Sequence, residues 1–170
     1  EWFCKYLKKI DMVIHCAWYV NHSDYLTSDK NIECLNGSIE LSKACVEMQV
    51  KKFVGIGTCF EYDVSKKYLS INTPLKPEVL YSICKASTYL ILKNIFENTK
   101  VKFKWCRLFY LYGKGEKETR LYPYVTNLLK NNKIVDIGKG DQVRDYLNID
   151  EAAKKIIKFS FSLSSGVKNI

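Results

Sequence analysis

A phenol and an ammonium four residues apart on a helix can do acid–base work, and Tyr81-Ser-Ile-Cys-Lys85 has that form. On one helical face two such side chains lie about 5–6 Å apart at Cβ. The ammonium stabilises a phenolate and so lowers the tyrosine pKa. A tyrosine tuned in this way can give or take the proton of an alcohol or ketone. The spacing alone is weak, because 12 Tyr and 24 Lys produce it by chance: it recurs at Tyr62/Lys66, Tyr89/Lys93 and Tyr110/Lys114.

Context separates the four. Tyr81 stands near the start of a long helical pattern, after Pro74-Leu-Lys-Pro77. Twenty-three residues earlier an apolar, strand-like run ends at Gly57-Thr58, whose hydroxyl could share a substrate oxygen with Tyr81. Tyr62/Lys66 and Tyr110/Lys114 fall in loop-like stretches. Tyr89/Lys93 lies two turns deeper in the helix and roughly 80° around from Tyr81, which suits a core tyrosine beside a surface lysine.

The elements that must position these groups alternate along the chain. Apolar runs at 11–17, 51–57 and 101–111 predict buried strands. Helical periodicity marks 31–48, 78–98 and 120–131. A polar, Pro-containing stretch fills 63–77. Further strands are expected at 134–137 and 143–149, around the turn Gly138-Lys-Gly-Asp141. Asp150 is expected to cap a last helix. Alternation with helices of crossover length predicts an α/β fold with a parallel sheet covered on both faces. Ligands in such sheets bind at the carboxyl ends of the strands. That directs attention to Ala17-Trp18, Thr58-Cys59 and the segment from Tyr110 to Gly113.

Composition narrows the class. Of 170 residues, 47% are hydrophobic and 26% charged, which suits a folded domain and argues against disorder. No apolar run reaches the roughly 18 residues of a membrane helix. The net charge is +9, but the lysines come in ones and twos on predicted outer faces. That pattern marks a solvated surface rather than a nucleic-acid footprint. Seven cysteines, an odd count with no Cys-x-x-Cys pair, suggest neither a disulfide framework nor a zinc site, so no metal is expected. They read as small buried hydrophobes in a reducing cytoplasm. The chain begins at Glu1, inside a helix-like run and without a secretory leader, and stops inside a strand-like one, so a fragment is expected.

Five stretches together resemble the extended short-chain dehydrogenase/reductase family, which includes nucleotide-sugar epimerases, dehydratases and ketoreductases. They are Asp11-Met-Val-Ile-His-Cys-Ala17, Lys52-Phe-Val-Gly-Ile-Gly-Thr58, Tyr81 to Lys85, Arg107-Leu-Phe-Tyr-Leu-Tyr-Gly113 and Gly138 to Tyr146. The resemblance implies a Rossmann-like doubly wound parallel sheet over 1–113, partial because the glycine-rich phosphate loop and first strands, roughly fifty residues, are lacking. It also implies a small C-terminal substrate-binding region over 114–170, with segments that return to the first domain.

By position, Tyr81 would be the catalytic acid/base and would also contact the cofactor, and Lys85 would tune it and hold the cofactor ribose. Thr58 would hydrogen-bond the reacting sugar oxygen. Ala17 and Trp18 would line the cofactor, NAD or NADP. Arg144 would pair with the substrate diphosphate, and Tyr110 stands where epimerases often have a substrate-binding Asn. Cys59 and Phe60 replace the Asp-Glu pair of sugar 4,6-dehydratases, which leaves water elimination without a catalyst. The run Gly57-Thr-Cys-Phe-Glu-Tyr-Asp63 is more similar to 4-ketoreductases acting on deoxysugar nucleotides in surface-polysaccharide pathways. The implied activity is reduction of the 4-keto group of a nucleotide-linked 6-deoxyhexose. A nucleotide-sugar 4-epimerase and a non-catalytic dinucleotide-binding regulator are the alternatives. The expected partner is a nucleotide-sugar, with neither nucleic acid nor membrane, and a homodimer is allowed for. His15 reads as a packed core histidine, His22 has no assignment, Gly138-Lys-Gly140 is a turn, and Glu61 reads as a surface acid in preference to one that reaches the substrate.

Overall fold

The computed structural model describes residues 2–170. Its centre is a four-stranded, wholly parallel sheet. The strands are β1 (Met12–His15), β2 (Lys52–Thr58), β3 (Lys102–Leu108) and β6 (Gly166–Asn169), in the order β1-β2-β3-β6. The connections carry helices α2 (Lys30–Glu47), α3 (Leu80–Glu97) and α5 (Ile149–Phe161). A short helix α1 (Trp2–Tyr6) precedes β1, and α4 (Leu121–Lys130) lies between β3 and α5. The α/β class and the parallel sheet are thus as the alternating pattern predicts, and the Rossmann-like order is as the resemblance implies.

Period-2 alternation sorts the strand residues onto two faces. Phe53 and Val101 join Leu92 and Phe96 of α3 and Cys45 of α2 in one core. Val54 and Cys106 point the other way and pack with Ala152 and Phe159 of α5. Lys104 also faces α5 and is 1% exposed. Its ammonium donates to the Phe159, Ser160 and Ser162 carbonyls, at 3.3 Å for Ser160 and 2.8 Å for Ser162. These carbonyls lie at the end of α5, where few helical N–H groups remain to pair with them, and a cation suits that negative end of the helix dipole.

Several local expectations are corrected. The run 101–111 divides at Phe109: β3 stays in the main sheet, while β4 (Tyr110–Tyr112) pairs in parallel with β5 (Tyr146–Asn148) in a separate two-stranded sheet. No strand forms over 134–137, whose Ile134 is largely exposed; alternation there has no neighbouring strand to pair with. Gly138 and Gly140 turn with φ of +62° and +65°, the left-handed region open to glycine. The strand expected over 143–149 shortens to β5. The cap of α5 is Asn148, not Asp150: the Asn148 side chain accepts from the Asp150 N–H at 2.9 Å. Four cysteines, Cys45, Cys59, Cys84 and Cys106, are buried as expected, whereas Cys16 is exposed, and all seven are free thiols. No helix among the described residues is long and apolar enough to cross a membrane.

Candidate active site

Parallel register brings the carboxyl ends of β1, β2 and β3 to one edge, since His15 pairs with Gly55 and Thr58 with Leu108. A cleft of about 630 Å³ opens there. Its lining includes Trp18, Thr58, Tyr81, Lys85 and Tyr110, five of the residues singled out from the sequence. Ala17 is exposed and is not among the lining residues; the chain turns after β1 so that Cys16 and Trp18 face the cleft instead. Arg144 is exposed in an adjoining cleft of about 630 Å³ that also holds Lys66, Lys67 and Lys155. Phe60 and Tyr110 border both clefts, and the Arg144 guanidinium lies 5.2 Å from the Tyr110 ring centre.

Helix α3 places Tyr81 and Lys85. Its N-terminus follows extended Val79, and Ser82 closes the turn by accepting from the Val79 N–H at 3.2 Å. The Tyr81 N–H donates to the Leu26 carbonyl at 3.0 Å, which ties the helix start to the loop after β1. Tyr25 from that loop packs edge-on against Tyr81, with ring centres 5.1 Å apart. Trp18 is fixed by donation from its indole N–H to Asn31 Oδ1 at 2.8 Å, and buried Asn31 donates in turn to the Tyr25 and Ser28 carbonyls.

Burial dominates the protonation of the pair. It pushes the Tyr81 phenol well above its ordinary range, against the lowering expected from Lys85, and only the nearby Thr58 side chain opposes it. It pushes the Lys85 ammonium down to about 7, opposed by the charge of Glu61. Lys85 donates to the Ile56 carbonyl at 2.8 Å and sits 3.8 Å from the Trp18 ring centre. His15 bonds the Ser38 hydroxyl at 2.8 Å; burial, then the Lys85 charge, lowers its pKa to about 4. His15 is a satisfied, packed histidine, as the sequence suggests.

The other Tyr/Lys pairs fall away. Tyr62 is wholly buried while Lys66 is exposed, and Tyr89 packs on Trp105 with Lys93 in solvent. Tyr110 lies in a strand, where residues four apart do not converge as they do on a helix.

Glu61 requires correction. It is not a surface acid but fully buried, paired with Arg107 at 2.7 Å between Nε and Oε2. Its Oε1 accepts from the Thr58 N–H at 2.8 Å, and both its oxygens accept from the Trp105 indole N–H at 3.1 Å. Gly57 makes room for this: a Cβ there would collide with the Glu61 carboxylate and the Trp105 indole. The signal was Arg107, a charge at the end of an apolar strand, which needs a buried partner. Tyr25, Asn31 and His22, which also borders the cleft, carry no motif and were not legible as site residues.

A parallel sheet with a Tyr-x-x-x-Lys helix at its carboxyl edge defines a Rossmann-like domain, and this chain belongs to the NAD dependent epimerase/dehydratase family, whose pattern matches residues 1–169. A solved UDP-N-acetylglucosamine 4-epimerase from Methanobrevibacter ruminantium M1 has a TM-score of 0.87 and 26% identity, covering 99% of this chain and 57% of that one. MoeE5, solved with UDP-glucose and NAD, shares the fold at a TM-score of 0.84 and 19% identity, over 99% of this chain and 58% of that one. A dTDP-D-glucose 4,6-dehydratase of Dictyostelium discoideum is 30% identical over 159 residues. That match takes in 85% of this chain but 37% of the relative, so the chain spans well under half of that relative's length.

Proposed function

We propose that this chain carries the catalytic edge of an NAD(P)-dependent oxidoreductase that reduces the 4-keto group of a nucleotide-linked 6-deoxyhexose. The observation that carries the reading is the convergence of Thr58, Tyr81 and Lys85 on one cleft. The residues present fit the ribose end of a dinucleotide. Lys85 is 5% exposed and one protein carbonyl takes one of its N–H groups, which leaves donors for vicinal hydroxyls. A bound reduced nicotinamide would supply the hydride. Trp18 and Lys85 would hold the cofactor. The basic cleft with Arg144, Lys66 and Lys67 would receive the diphosphate of the nucleotide-sugar.

The protein's part in the chemistry is to bind, orient and protonate. Burial keeps the Tyr81 phenol neutral, the form that donates a proton to a carbonyl oxygen as it becomes an alkoxide. The Thr58 hydroxyl accepts from the Phe60 N–H at 3.3 Å, which leaves its own proton to donate to that oxygen. The Lys85 ammonium stabilises the phenolate that Tyr81 becomes. The dehydratase relative suggests another outcome, but Cys59 is a buried thiol pushed up to about 11 and Phe60 has no proton to move. These two positions therefore offer no acid–base pair for eliminating water.

A second reading, 4-epimerisation, is favoured by the match to the UDP-N-acetylglucosamine 4-epimerase over nearly the whole chain. The test follows NADH and NADPH consumption by the full-length protein given a nucleotide-linked 4-keto-6-deoxyhexose. Stoichiometric oxidation is expected. Cofactor that binds without net oxidation, together with inversion at C4 of a nucleotide-hexose, would replace the reductase reading by the epimerase one.

A further inference from the structure

The Glu61–Arg107 pair is a costly arrangement for a core. Arg107 is 2% exposed and Glu61 wholly buried. Two charges taken out of water are often no more stable than apolar residues of the same volume. This pair is not even saturated, because the second terminal guanidinium nitrogen of Arg107, Nη2, is buried without a partner. Stability alone does not account for it.

Its hydrogen bonds lead to the cleft. Arg107 donates from Nη1 to the Tyr62 hydroxyl at 3.0 Å, and Tyr62 donates to Asn169 Oδ1 at 2.7 Å, which joins the ends of β3 and β6. The guanidinium is sandwiched 4.5 Å from the Tyr62 ring centre and 4.8 Å from that of Tyr89. Glu61, held by Arg107 and Trp105, aims Oε1 at the Thr58 N–H. In return the Thr58 hydroxyl accepts from the Phe60 N–H, which closes a capping box on the 3₁₀ turn Cys59–Glu61. The backbone of Thr58 is thereby fixed at the last residue of β2, where the strand meets the cleft.

We propose that Glu61 is a positioning residue: its buried carboxylate, clamped by Arg107 and Trp105, holds the Thr58 backbone so that the Thr58 hydroxyl faces the substrate oxygen that Tyr81 protonates. The inference rests on the active-site reading above and assigns Glu61 a role in it. Glu61 does not move a proton. Its effect is on the orientation of the ground state and of the developing alkoxide.

The test compares two double variants of the full-length protein. E61Q/R107L removes the buried charges but keeps an oxygen that can accept from Thr58. E61L/R107L removes the acceptor as well. The first should keep slow hydrogen exchange at the Thr58 amide and kcat within about threefold of the parent. The second should lose that protection, and kcat should fall about 10–100-fold at unchanged cofactor affinity, as for a reacting group displaced by a fraction of an ångström to an ångström. Equal kcat in the two variants at matched melting temperatures would overturn the role of Glu61 while leaving the active site as read. Retained turnover in Tyr81→Phe would overturn the active-site reading itself. If neither double variant folds, the parent protein decides: a Thr58 amide that exchanges at the unprotected rate would refute the clamp, and a protected one supports it.

Discussion

The Lys85 ammonium lies 3.8 Å from the centre of the Trp18 ring, against the face of an indole that Asn31 holds in place. The ring's negative face favours the charged lysine, whereas burial favours the neutral one, and burial prevails, with a pKa of about 7. Lys85 therefore titrates near neutrality, and its charge depends on neighbours contributed by separate parts of the chain.

Replacing Trp18 with leucine should lower the Lys85 pKa further, by about 0.5–1 unit, which is the worth of a cation–π contact at a partly desolvated site. The measurement is a pH titration of the Lys85 side-chain carbon resonance by NMR, assigned with Lys85→Met. An unchanged midpoint would remove Trp18 from the electrostatics of the site.

Tyr81→Phe keeps the ring packed on Tyr25 and removes only the hydroxyl. Turnover should fall on the order of 10²–10⁴-fold, the usual contribution of a positioned proton donor. Cofactor affinity should hold, because the proposed ribose contact is made by Lys85 and not by the Tyr81 hydroxyl. Steady-state rates together with a cofactor titration separate the two effects.

His15 makes stability depend on pH. Its folded pKa of about 4 lies below the unfolded value near 6.5. Above pH 6.5 it is neutral in both states and has no effect. As pH falls from 6.5 to 4 the unfolded chain takes up the proton first, so stability declines, by up to about 3 kcal/mol once the pH is below both values. Lys85 adds no slope in this window, because its own transition lies between about 7 and its unfolded value. Denaturant unfolding of the parent and His15→Gln at pH 7 and at pH 4.5 should show a smaller loss in the variant.

Lys104→Met keeps the length of the side chain but removes the donor to the carbonyls at the end of α5. Buried acceptors left without a partner cost about 1–3 kcal/mol. The melting temperature should fall by several degrees, with the loss of helix protection concentrated around 156–162 in hydrogen exchange.

Much of the fold was legible in the sequence because burial on both faces writes continuous apolar runs into parallel strands, as in Lys51-Lys-Phe-Val-Gly-Ile-Gly57. The helix behind Tyr81 was legible because its apolar positions repeat over more than four turns. The segment from 131 to 149 was not: its alternation resembles strand, but only Tyr146–Asn148 finds a partner, namely β4. Pairing is a property of neighbours, and local pattern does not contain it.

The meeting of Tyr81 and Lys85 with Thr58 at one cleft was also legible, since of the four Tyr/Lys pairs only this one combines helical spacing with the approach of a strand end. The residues around them were not. Glu61 sits in a polar-looking stretch that reads as surface, and only the register of β2 on β3 brings Arg107 and Trp105 against it. Ala17 and Trp18 are adjacent in sequence, yet one faces outward and the other lines the cleft.

The sequence by itself determined which side chains can do chemistry and on what kind of element each stands, because side-chain type and hydrophobic period are local. The tertiary structure alone decided the protonation of Tyr81 and Lys85, the burial of Glu61 and the separation of Arg144 into a second cleft. Each of these depends on what other segments exclude from water or bring within a few ångströms, and desolvation and Coulomb interactions act through space rather than along the chain.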